Sequence, residues 1–554
     1  MVASIEIKVF GKAFKEKLSL ERENIDLVQH LKTKWSTFRH NGIAFPPSYN
    51  PRNLSITIRG NRQDLTSEQE EMLWALAKKR DTPYVKDPVF TSNFALDFAK
   101  TLPAEYRDIR YDELDLSEFI RLQEGEKNVV LDKESKKKLA TLRKATREEL
   151  RGKYGHAEMD CQTVDISNWM AEPPGIFMGR GAHPLRGRWK PRIHPEDVTL
   201  NLGEDAKIPE GKSRGIVHDH ESMWVARWTD KLTEKEKYVW LSEGSSIRQL
   251  RERAKFDKAA RLDENIGKVR EYINKGMAAK DEETRKVATV CYLIDRLAMR
   301  VGDEKETEEA DTVGASTLRY EHLKLKPASV EFDFLGKDSV RWQKTIEIKD
   351  DADRMAFINF QAFLKEKKEG DLVFDGIRSV NVNRFLGKAH HGFTAKVFRT
   401  YLATNVVREY LQKFDKVQDL PDYMKVYYVK MANLQAAITC NHKRTIPKNW
   451  EANLAKKEER LNQLRNQVAK TEKAKIGLAD RIRKMEITIG IVKATKDHNL
   501  NTSLKNNIDP RVFKNWSDKA KLDWKLICPM TLQKKFGWVE RERIKKEPKG
   551  EIIF

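Results

Sequence analysis

Four basic side chains in the second half of the chain are of the types that bind and protonate a phosphate diester: Arg300, Lys337, Arg399 and His442. Arginine forks bind two phosphate oxygens at once, histidine donates a further hydrogen bond, and lysine protonates a departing oxygen. Transesterification also needs a nucleophile, and no tyrosine follows Tyr428. The residue types therefore indicate a phosphodiester pocket and leave its nucleophile open.

The elements that carry Arg300 and Lys337 also allow ordinary interpretations. Apolar residues at helical spacing over 287–301, followed by Gly302, predict a helix with Arg300 in its last turn, where a cation complements the helix C-terminus. Alternating apolar and polar residues on both sides of a Gly-Lys-Asp turn predict a β-hairpin over 330–342. Lys337 lies at its tip, where a lysine is either a solubilising charge or a group that reaches into a groove.

Arg399 and His442 belong to two further predicted helices. A helix opens near Phe393 and places Lys396 and Arg399, three residues apart, on one face. His442 ends an apolar helical stretch that begins near Tyr427, where a histidine commonly caps a helix or lies in the core. Neither residue alone indicates catalysis.

Length and composition predict several packed domains. The chain has 554 residues, of which 39% are hydrophobic and 34% charged, and contains no run of about 18 apolar residues and no signal peptide. We expect an intracellular protein with no membrane span. The four cysteines are scattered singly and predict reduced thiols, and no Cys or acidic cluster joins the His218-Asp-His220 pair, so no metal site is expected.

A net charge of +21, from 105 Lys and Arg against 84 Asp and Glu, favours a polyanionic partner. Each phosphate that a basic residue neutralises releases condensed counterions, which makes such binding strongly dependent on salt. Ribosomal, chromatin and membrane-surface proteins share this charge. The basic stretch over 133–153 is compatible both with a solvated connecting helix and with a helix that faces nucleic acid.

The most regular periodic segment lies between residues 454 and 492. Two apolar seams at spacings of three and four residues, with a slip around 471–477, predict two helices folded back as an antiparallel coiled coil. The seams contain Leu454, Leu461, Leu464 and Val468, and Leu478, Ile482, Met485, Ile489 and Val492. Beyond them, we expect a small helical domain that Trp516, Trp524 and Trp538 dock onto the rest.

Seven motifs follow one another in a recognisable order. They are EPPGIFMGRGAHP at 172–184, LAMRVGDEK at 297–305, ADTVG at 310–314, FDFLGKDS at 332–339, TAKVFRT at 394–400, CNH at 440–442 and IDPR at 508–511. From about Lys34 to its C-terminus the chain resembles eukaryotic-type DNA topoisomerase IB. Tyrosine recombinases share the Arg, Lys, Arg and His set but lack the linker and the 172–184 loop.

The resemblance implies an α+β, multidomain fold: a bilobed clamp around duplex DNA with a mainly helical catalytic core, an antiparallel coiled-coil linker and a small helical C-terminal domain. The expected segments are an N-terminal segment of unknown role (1–30), a core DNA-clamp lobe (31–246, with a small α/β cap at about 45–134), the catalytic core (247–445), the linker (446–498) and the C-terminal domain (499–554).

The resemblance also implies an activity. In the family a tyrosine attacks a backbone phosphate, forms a 3′-phosphotyrosine and frees a 5′-hydroxyl, and the cut strand swivels before it is resealed, so that supercoils relax. No metal or nucleotide cofactor is required. By resemblance Arg300 and Arg399 hold the non-bridging oxygens, His442 is a third donor to them, and Lys337 protonates the leaving 5′-oxygen. Further DNA contacts are expected from Arg180, Asp338, Lys396 and Asn506.

Position 507 departs from the family pattern Ser-Lys-x-x-Tyr, since this chain reads Ser503-Leu-Lys-Asn-Asn507. An amide nitrogen is a poor nucleophile because its lone pair is delocalised. We therefore expect a protein that binds DNA and does not cleave it efficiently. Tyr401, two residues from Arg399, is expected to be a packed helix residue and not a substitute.

Three interpretations of Asn507 remain open. The chain is a topoisomerase that lost its tyrosine through a one-base codon change, engineered or in a defective allele; a natural non-catalytic paralogue that binds duplex DNA; or one part of a split enzyme whose tyrosine comes from another chain. The intact C-terminal segment argues against the third. The expected partner is duplex DNA, preferably supercoiled, bound by a monomer with no membrane association, and the expected location is the nucleus, although no clear import signal is present.

Overall fold

A computed structural model describes residues 34–128, 132–179, 181–303, 313–414 and 416–540. The described residues combine helices with several sheets, which confirms the predicted α+β class. They form two compact units, which divide between Arg248 and Gln249. The expectation for residues 1–30 lies outside the described residues. Within the described ranges, no helix is long and apolar enough to cross a bilayer.

The first unit is built around a seven-stranded sheet with the order β1-β5-β6-β12-β11-β9-β10. Its strands pair antiparallel except for β9 and β10, which run parallel. The sheet strands are β1 (Phe38–His40), β5 (His156–Met159), β6 (Gln162–Ser167), β9 (Thr199–Asn201), β10 (Gly215–Val217), β11 (Trp224–Thr229) and β12 (Glu236–Leu241). Its apolar residues form one core cluster, in which Val225 and Leu241 are fully buried.

A second layer of the first unit joins a three-stranded sheet to helices. The sheet has the order β3-β2-β4, and Phe90, Phe94 and Phe98 pack in the helical core beside it. The elements are β2 (Ser55–Ile58), β3 (Asn61–Asp64), α1 (Ser67–Ala77), α2 (Pro88–Ala99), β4 (Leu114–Asp115), α3 (Ser117–Asn128) and α4 (Lys133–Tyr154), followed by the short pair β7 (Gly175–Ile176) and β8 (Trp189–Lys190).

The second unit is mainly helical and carries one three-stranded sheet. Its helices are α5 (Ser246–Met277), which starts just before the boundary, α6 (Glu282–Leu297), α7 (Asp351–Leu364), α8 (Ser379–Ala389), α9 (Ala395–Gln412) and α10 (Asp422–Thr439). Its sheet consists of β13 (Leu323–Lys326), β14 (Ser329–Gly336) and β15 (Val340–Glu347). One apolar cluster joins α6, α9 and the sheet, so the elements that carry the candidate residues share a core.

Two long helices, α11 (Trp450–Arg465) and α12 (Glu472–Ala494), pack against each other. The ion pairs Arg465–Glu486 and Glu458–Lys493 have an antiparallel register. Leu461, Leu464, Leu478 and Ile489 are buried, as the apolar seams predict. Val468 is 91% exposed, so its assignment to the first seam is wrong. It lies between the two helices, because α11 ends at Arg465 and α12 begins at Glu472 with Thr471 as its N-cap.

The C-terminal helices are α13 (Leu500–Asn506), α14 (Pro510–Lys519) and α15 (Met530–Lys535). The three tryptophans singled out in the sequence, Trp516, Trp524 and Trp538, are 4–5% exposed and share a core with residues of α5, α9 and α10. The prediction that these rings dock the C-terminal helices onto the rest of the chain is confirmed. Position 507 is thereby fixed against the elements that carry the basic residues.

Candidate functional site

Arg300 lies in a loop and not in a helix, so that prediction is wrong. Helix α6 ends at Leu297 because Ala298 adopts the left-handed conformation, with φ 53° and ψ 33°. Arg300 then follows as an exposed residue of an extended loop. The helix therefore ends three residues before Arg300, which follows in a loop whose carbonyls at Ala298 and Arg300 accept hydrogen bonds from Arg399 and Ala315.

Two other cations complement the end of α6. Arg399, which is 6% exposed on α9, donates from Nη1 to the carbonyl of Ala298 and from Nη2 to the carbonyl of Cys440, at 2.9 Å. Lys344 on β15 donates to the carbonyls of Leu297, at 3.0 Å, and Thr439, at 2.7 Å. Since α10 ends at Thr439, each cation joins the carbonyl ends of the same two helices, where partial negative charge accumulates.

His442 connects this cation pair to the segment before position 507. Its Nε2 lies 3.4 Å from Nη2 of Arg399, and its Nδ1 lies 2.6 Å from Oγ of Ser503 on α13. Its backbone carbonyl accepts from the N–H of Asn499, the residue that caps α13, at 2.7 Å. The imidazole is 7% exposed and Ser503 is fully buried. His442 thus contacts both Arg399 and the helix that precedes position 507.

Burial, together with the charges of Arg399 and Arg300, lowers the pKa of His442 to about 3. The ring is therefore neutral at physiological pH and carries one N–H. A neutral ring donates from Nε2 only when Nδ1 accepts, and the Ser503 hydroxyl is placed to be that donor. Nη2 of Arg399 can only donate, so its contact with Nε2 suits the other tautomer, in which Nε2 accepts and Nδ1 donates to Ser503. For Nε2 to donate to a phosphate, the Ser503 hydroxyl must donate to Nδ1 and the ring must give up its contact with Arg399.

The depressed pKa predicts acid sensitivity. The unfolded chain binds a proton at His442 below pH 6.5, whereas the folded chain does so only near pH 3, so stability falls as pH decreases through that window. We expect His442→Asn to remove about 1–2 kcal/mol of the stability difference between pH 7 and pH 5. Urea unfolding at the two pH values measures it. His391→Asn, at an exposed histidine, is the control; equal acid sensitivity of His442→Asn and the parent would contradict the assignment.

The Arg300 loop and the hairpin tip are fastened to one short segment, residues 313–316. Ala315 donates its N–H to the carbonyl of Arg300 at 2.8 Å, and Val313 donates to the carbonyl of Leu335, also at 2.8 Å. Gly314 permits this close approach, because a Cβ there would lie 2.5 Å from the backbone of Gly302. The segment thereby ties the Arg300 loop to the end of β14.

Lys337 begins the turn between β14 and β15, so the predicted hairpin is confirmed. Its side chain is exposed at the tip, two residues after Leu335. Ser339 closes the turn with φ 56°. The side chain of Asp338 lies outside the described residues. The hairpin is also fixed at its other strand, since Nδ2 of Asn441, beside His442, donates to the carbonyl of Arg341 at 3.3 Å.

Asn507 is the C-terminal cap that directly follows α13, and it is half-buried. Its N–H donates to Ser503 at 2.9 Å, and its carbonyl lies 3.5 Å from Oγ1 of Thr404 on α9. Thr404 also accepts from the N–H of Asp509 at 3.1 Å. The Asp509 carboxylate then caps α14 and accepts from Arg511. The Ile-Asp-Pro-Arg motif therefore sets the course of the chain directly after position 507.

Asn506 and Lys396 belong to the surroundings of position 507. The carbonyl of Asn506 accepts from Nζ of Lys255 on α5 at 3.1 Å. Burial lowers the pKa of Lys255, and the charges of Lys535 and Lys396 act in the same direction. Lys396 is exposed in the first turn of α9, one turn before Arg399. Of the sequence-predicted residues of the second unit, Arg399 and His442 are in contact, the charge of Arg300 acts on His442, and that of Lys396 acts on Lys255, the partner of Asn506. Among the described residues, no contact joins Lys337 to this group.

The loop at 172–184 lies in the first unit. Gly179 and Gly181 have φ of 62° and 60°, a conformation that favours glycine on both sides of residue 180. Arg180 itself lies outside the described residues.

Of the histidine pair, His218 lies 2.7 Å from the carbonyl of Leu202, and His220 contacts Trp35, so both rings make structural contacts. In the described part of the chain, no group of three or more His, Cys, Asp or Glu side chains is arranged to hold a metal ion.

Sequence reasoning missed three residues of this region: Lys344, Thr404 and Ser503. Lys344 lies on a strand and Thr404 on a helix, and no sequence pattern indicates that either contacts a backbone carbonyl far away in the chain. Ser503 was noted only as a retained neighbour of position 507. Its spacing of four residues from Asn507 on a helix was the available signal, because it places the two on one face.

The chain matches three protein families in succession. Residues 33–241 match "Eukaryotic DNA topoisomerase I, DNA binding fragment", residues 244–475 match "Eukaryotic DNA topoisomerase I, catalytic core", and residues 479–546 match "C-terminal topoisomerase domain". These matches define the class as a topoisomerase of eukaryotic type. They cover both compact units and include the site described above.

Individual relatives agree. DNA topoisomerase 1 alpha of Arabidopsis thaliana is 35% identical over 544 residues, covering 91% of this chain and 58% of the relative. DNA topoisomerase 1 of Homo sapiens is 32% identical over 550 residues, covering 91% of this chain and 70% of the relative. The chain therefore belongs to the eukaryotic DNA topoisomerase I family, the type IB topoisomerases. It spans less than two thirds of the length of the Arabidopsis relative.

Proposed function

We propose that this chain binds duplex DNA, holds a backbone phosphate between Arg300, Arg399 and His442, and lacks efficient cleavage because residue 507 is asparagine. The observation that carries the proposal is the chain of contacts from Arg399 through His442 to Ser503, which joins the basic cluster to the helix that precedes position 507. The relatives' names specify DNA topoisomerase, and we propose that this chain keeps the phosphate pocket of such an enzyme with an altered nucleophile position.

In this proposal Arg300 and Arg399 donate to the non-bridging oxygens of the phosphate and favour the charge that the pentacoordinate transition state adds. His442 is the third donor, through Nε2. Lys337, at the hairpin tip, protonates the leaving 5′-oxygen. We assign the flanking DNA contacts to Arg180, Asp338, Lys396 and Asn506. The nucleophile is absent, and no step of the proposed mechanism requires a metal or a nucleotide.

The finer architecture belongs to the same proposal. We assign residues 31–246 to the DNA-clamp lobe, 247–445 to the catalytic core, 446–498 to a coiled-coil linker and 499–554 to the C-terminal domain. The antiparallel ion pairs between α11 and α12 support the linker assignment. We also propose that the protein is a monomer that binds duplex DNA, preferably supercoiled, in the nucleus.

DNA binding by the unmodified chain is expected to depend steeply on salt. If six to ten phosphates are neutralised, affinity for a duplex falls by roughly 10³ to 10⁵ between 50 and 200 mM salt. Arg300→Ala should reduce the slope of log affinity against log salt by about one. The control is Lys349→Met, at an exposed lysine that pairs with Glu347.

Fluorescence anisotropy with a labelled duplex measures both effects. An affinity that changes little over this range would contradict a clamp that contacts phosphates.

Asn507 also favours a second candidate, a natural DNA-binding paralogue that never cleaves. It shares the salt dependence and differs in one outcome, because replacing Asn507 by tyrosine would not restore relaxation there.

A further inference from the structure

Lys344 occupies an unusual position for a lysine on a β-strand. Its ammonium donates to the last carbonyl of α6, Leu297, and to the last carbonyl of α10, Thr439. The next carbonyl of each chain segment, Ala298 and Cys440, accepts from Arg399. Two cations from two different elements thus make the same bridge one residue apart.

The bridge has a consequence for the residues that leave the two helices. Arg300 lies three residues after the Lys344 contact on α6, and His442 lies three residues after its contact on α10. The spacing of these two donors depends on the distance between the helix ends. Arg399 alone would have to maintain that distance while also binding the phosphate, and a guanidinium that holds two carbonyls has fewer donors to spare.

We propose that Lys344 is a positioning residue for the phosphate pocket: by bridging the carbonyl ends of α6 and α10 beside the parallel bridge from Arg399, it sets the separation of Arg300 and His442. This inference rests on the proposed function for its catalytic consequence. Lys344 does not touch the phosphate itself.

The charge of Lys344 is part of the bridge, because an ammonium complements helix C-termini better than a neutral amine. Burial lowers the pKa of Lys344 to about 8. The groups that act on it from neighbouring elements are Arg399 on α9, whose charge lowers the pKa, and Cys440 after α10, which raises it. On its own strand, the Trp342 ring lies 5.5 Å from Nζ. Its charge is therefore lost near pH 8, far below the range of an exposed lysine.

The first test does not require activity. Hydrogen exchange of the unmodified chain and of Lys344→Met is followed in peptides covering residues 298–303 and 440–445. We expect faster exchange in both peptides and no change in peptides from α11 and α12. Lys349→Met, at an exposed lysine after the same strand, serves as the control. Unchanged exchange in both peptides would overturn the inference, whatever the protein's activity.

The second test uses the Asn507→Tyr background and single-turnover cleavage of a duplex. We expect Lys344→Met to lower the cleavage rate by about 10²-fold, as a displacement of about 1 Å would, with duplex affinity changed by less than threefold. With Lys344 present, the rate should fall as pH rises through 8. Lys344→Arg keeps its charge and should lose that step while cleaving faster than Lys344→Met.

The outcomes separate the two claims. If Asn507→Tyr does not cleave but exchange accelerates in Lys344→Met, the bridge stands and the proposed function fails. If Asn507→Tyr cleaves and Lys344→Met cleaves equally well, the positioning role fails alone. A rate loss that is the same at every pH and is not relieved by Lys344→Arg would reduce Lys344 to a structural contact and would also overturn the inference.

Discussion

Replacing Asn507 by tyrosine should give a protein that relaxes supercoiled plasmid, which we propose the unmodified chain does not do efficiently. We expect a gain on the order of 10⁶ in relaxation rate, the scale of loss when a nucleophile is removed from an intact site. The hydrogen bonds described for residue 507 are made by its backbone, to Ser503 and Thr404, so a new side chain leaves them in place.

The measurement is the time course of plasmid relaxation by the unmodified chain, Asn507→Tyr and Asn507→Phe at equal concentrations. Phenylalanine supplies the ring without the hydroxyl and is the matched control. Relaxation by the tyrosine variant alone is the expected result. Inactivity of all three, combined with tight duplex binding, would favour the non-catalytic paralogue. Relaxation by the unmodified chain would contradict our account of position 507.

In the Asn507→Tyr background, Arg399→Ala should abolish relaxation. A missing donor to a transition-state oxyanion typically lowers the rate by about 10² to 10³, and we expect at least 10³ here because Arg399 also holds the site together. Its removal leaves the carbonyls of Ala298 and Cys440 without this donor, and each unsatisfied buried group costs about 1–3 kcal/mol.

Arg408→Ala is the control for this prediction. Arg408 lies on the same helix, has a side chain 39% exposed, and pairs with Asp263. We expect relaxation by this variant to stay within about threefold of its parent. Relaxation rates and thermal unfolding together separate the two roles of Arg399. A variant Arg399→Ala that relaxes DNA at a rate close to its parent would exclude Arg399 from the phosphate pocket.

The accuracy of the sequence-based predictions depended on whether a feature was local. The hairpin over β14 and β15 was predicted correctly, because alternation and a Gly-Lys-Asp turn are properties of adjacent residues. The end of α6 was predicted too far along the chain, because Ala298 adopts a left-handed conformation. The carbonyl of Ala298 accepts a hydrogen bond from Arg399, which lies 101 residues away in the sequence. A propensity for helix continues through Ala298 and Met299, and no local signal opposes it.

The site shows the same division. Motif resemblance selected Arg399 and His442, and the fold places them within hydrogen-bonding distance. It could not select Lys344, because a strand lysine is ordinarily exposed and its two acceptors lie at distant helix ends. The prediction that Val468 belongs to the apolar seam was wrong for a related reason. Its spacing continues the pattern of α11, but the helix ends before it, and spacing alone does not show where a helix ends.

The covalent product is the most direct test of the central claim, that this chain retains a phosphodiester pocket and lacks only its nucleophile. A duplex whose scissile strand is truncated just beyond the cleavage site traps the cleaved state, because the short fragment that carries the freed 5′-hydroxyl diffuses away. We predict that Asn507→Tyr forms a DNA adduct whose mass maps to residue 507 as a 3′-phosphotyrosine, and that the unmodified chain forms none. An adduct at any residue of the unmodified chain, or no adduct with Asn507→Tyr despite tight duplex binding, would contradict the account.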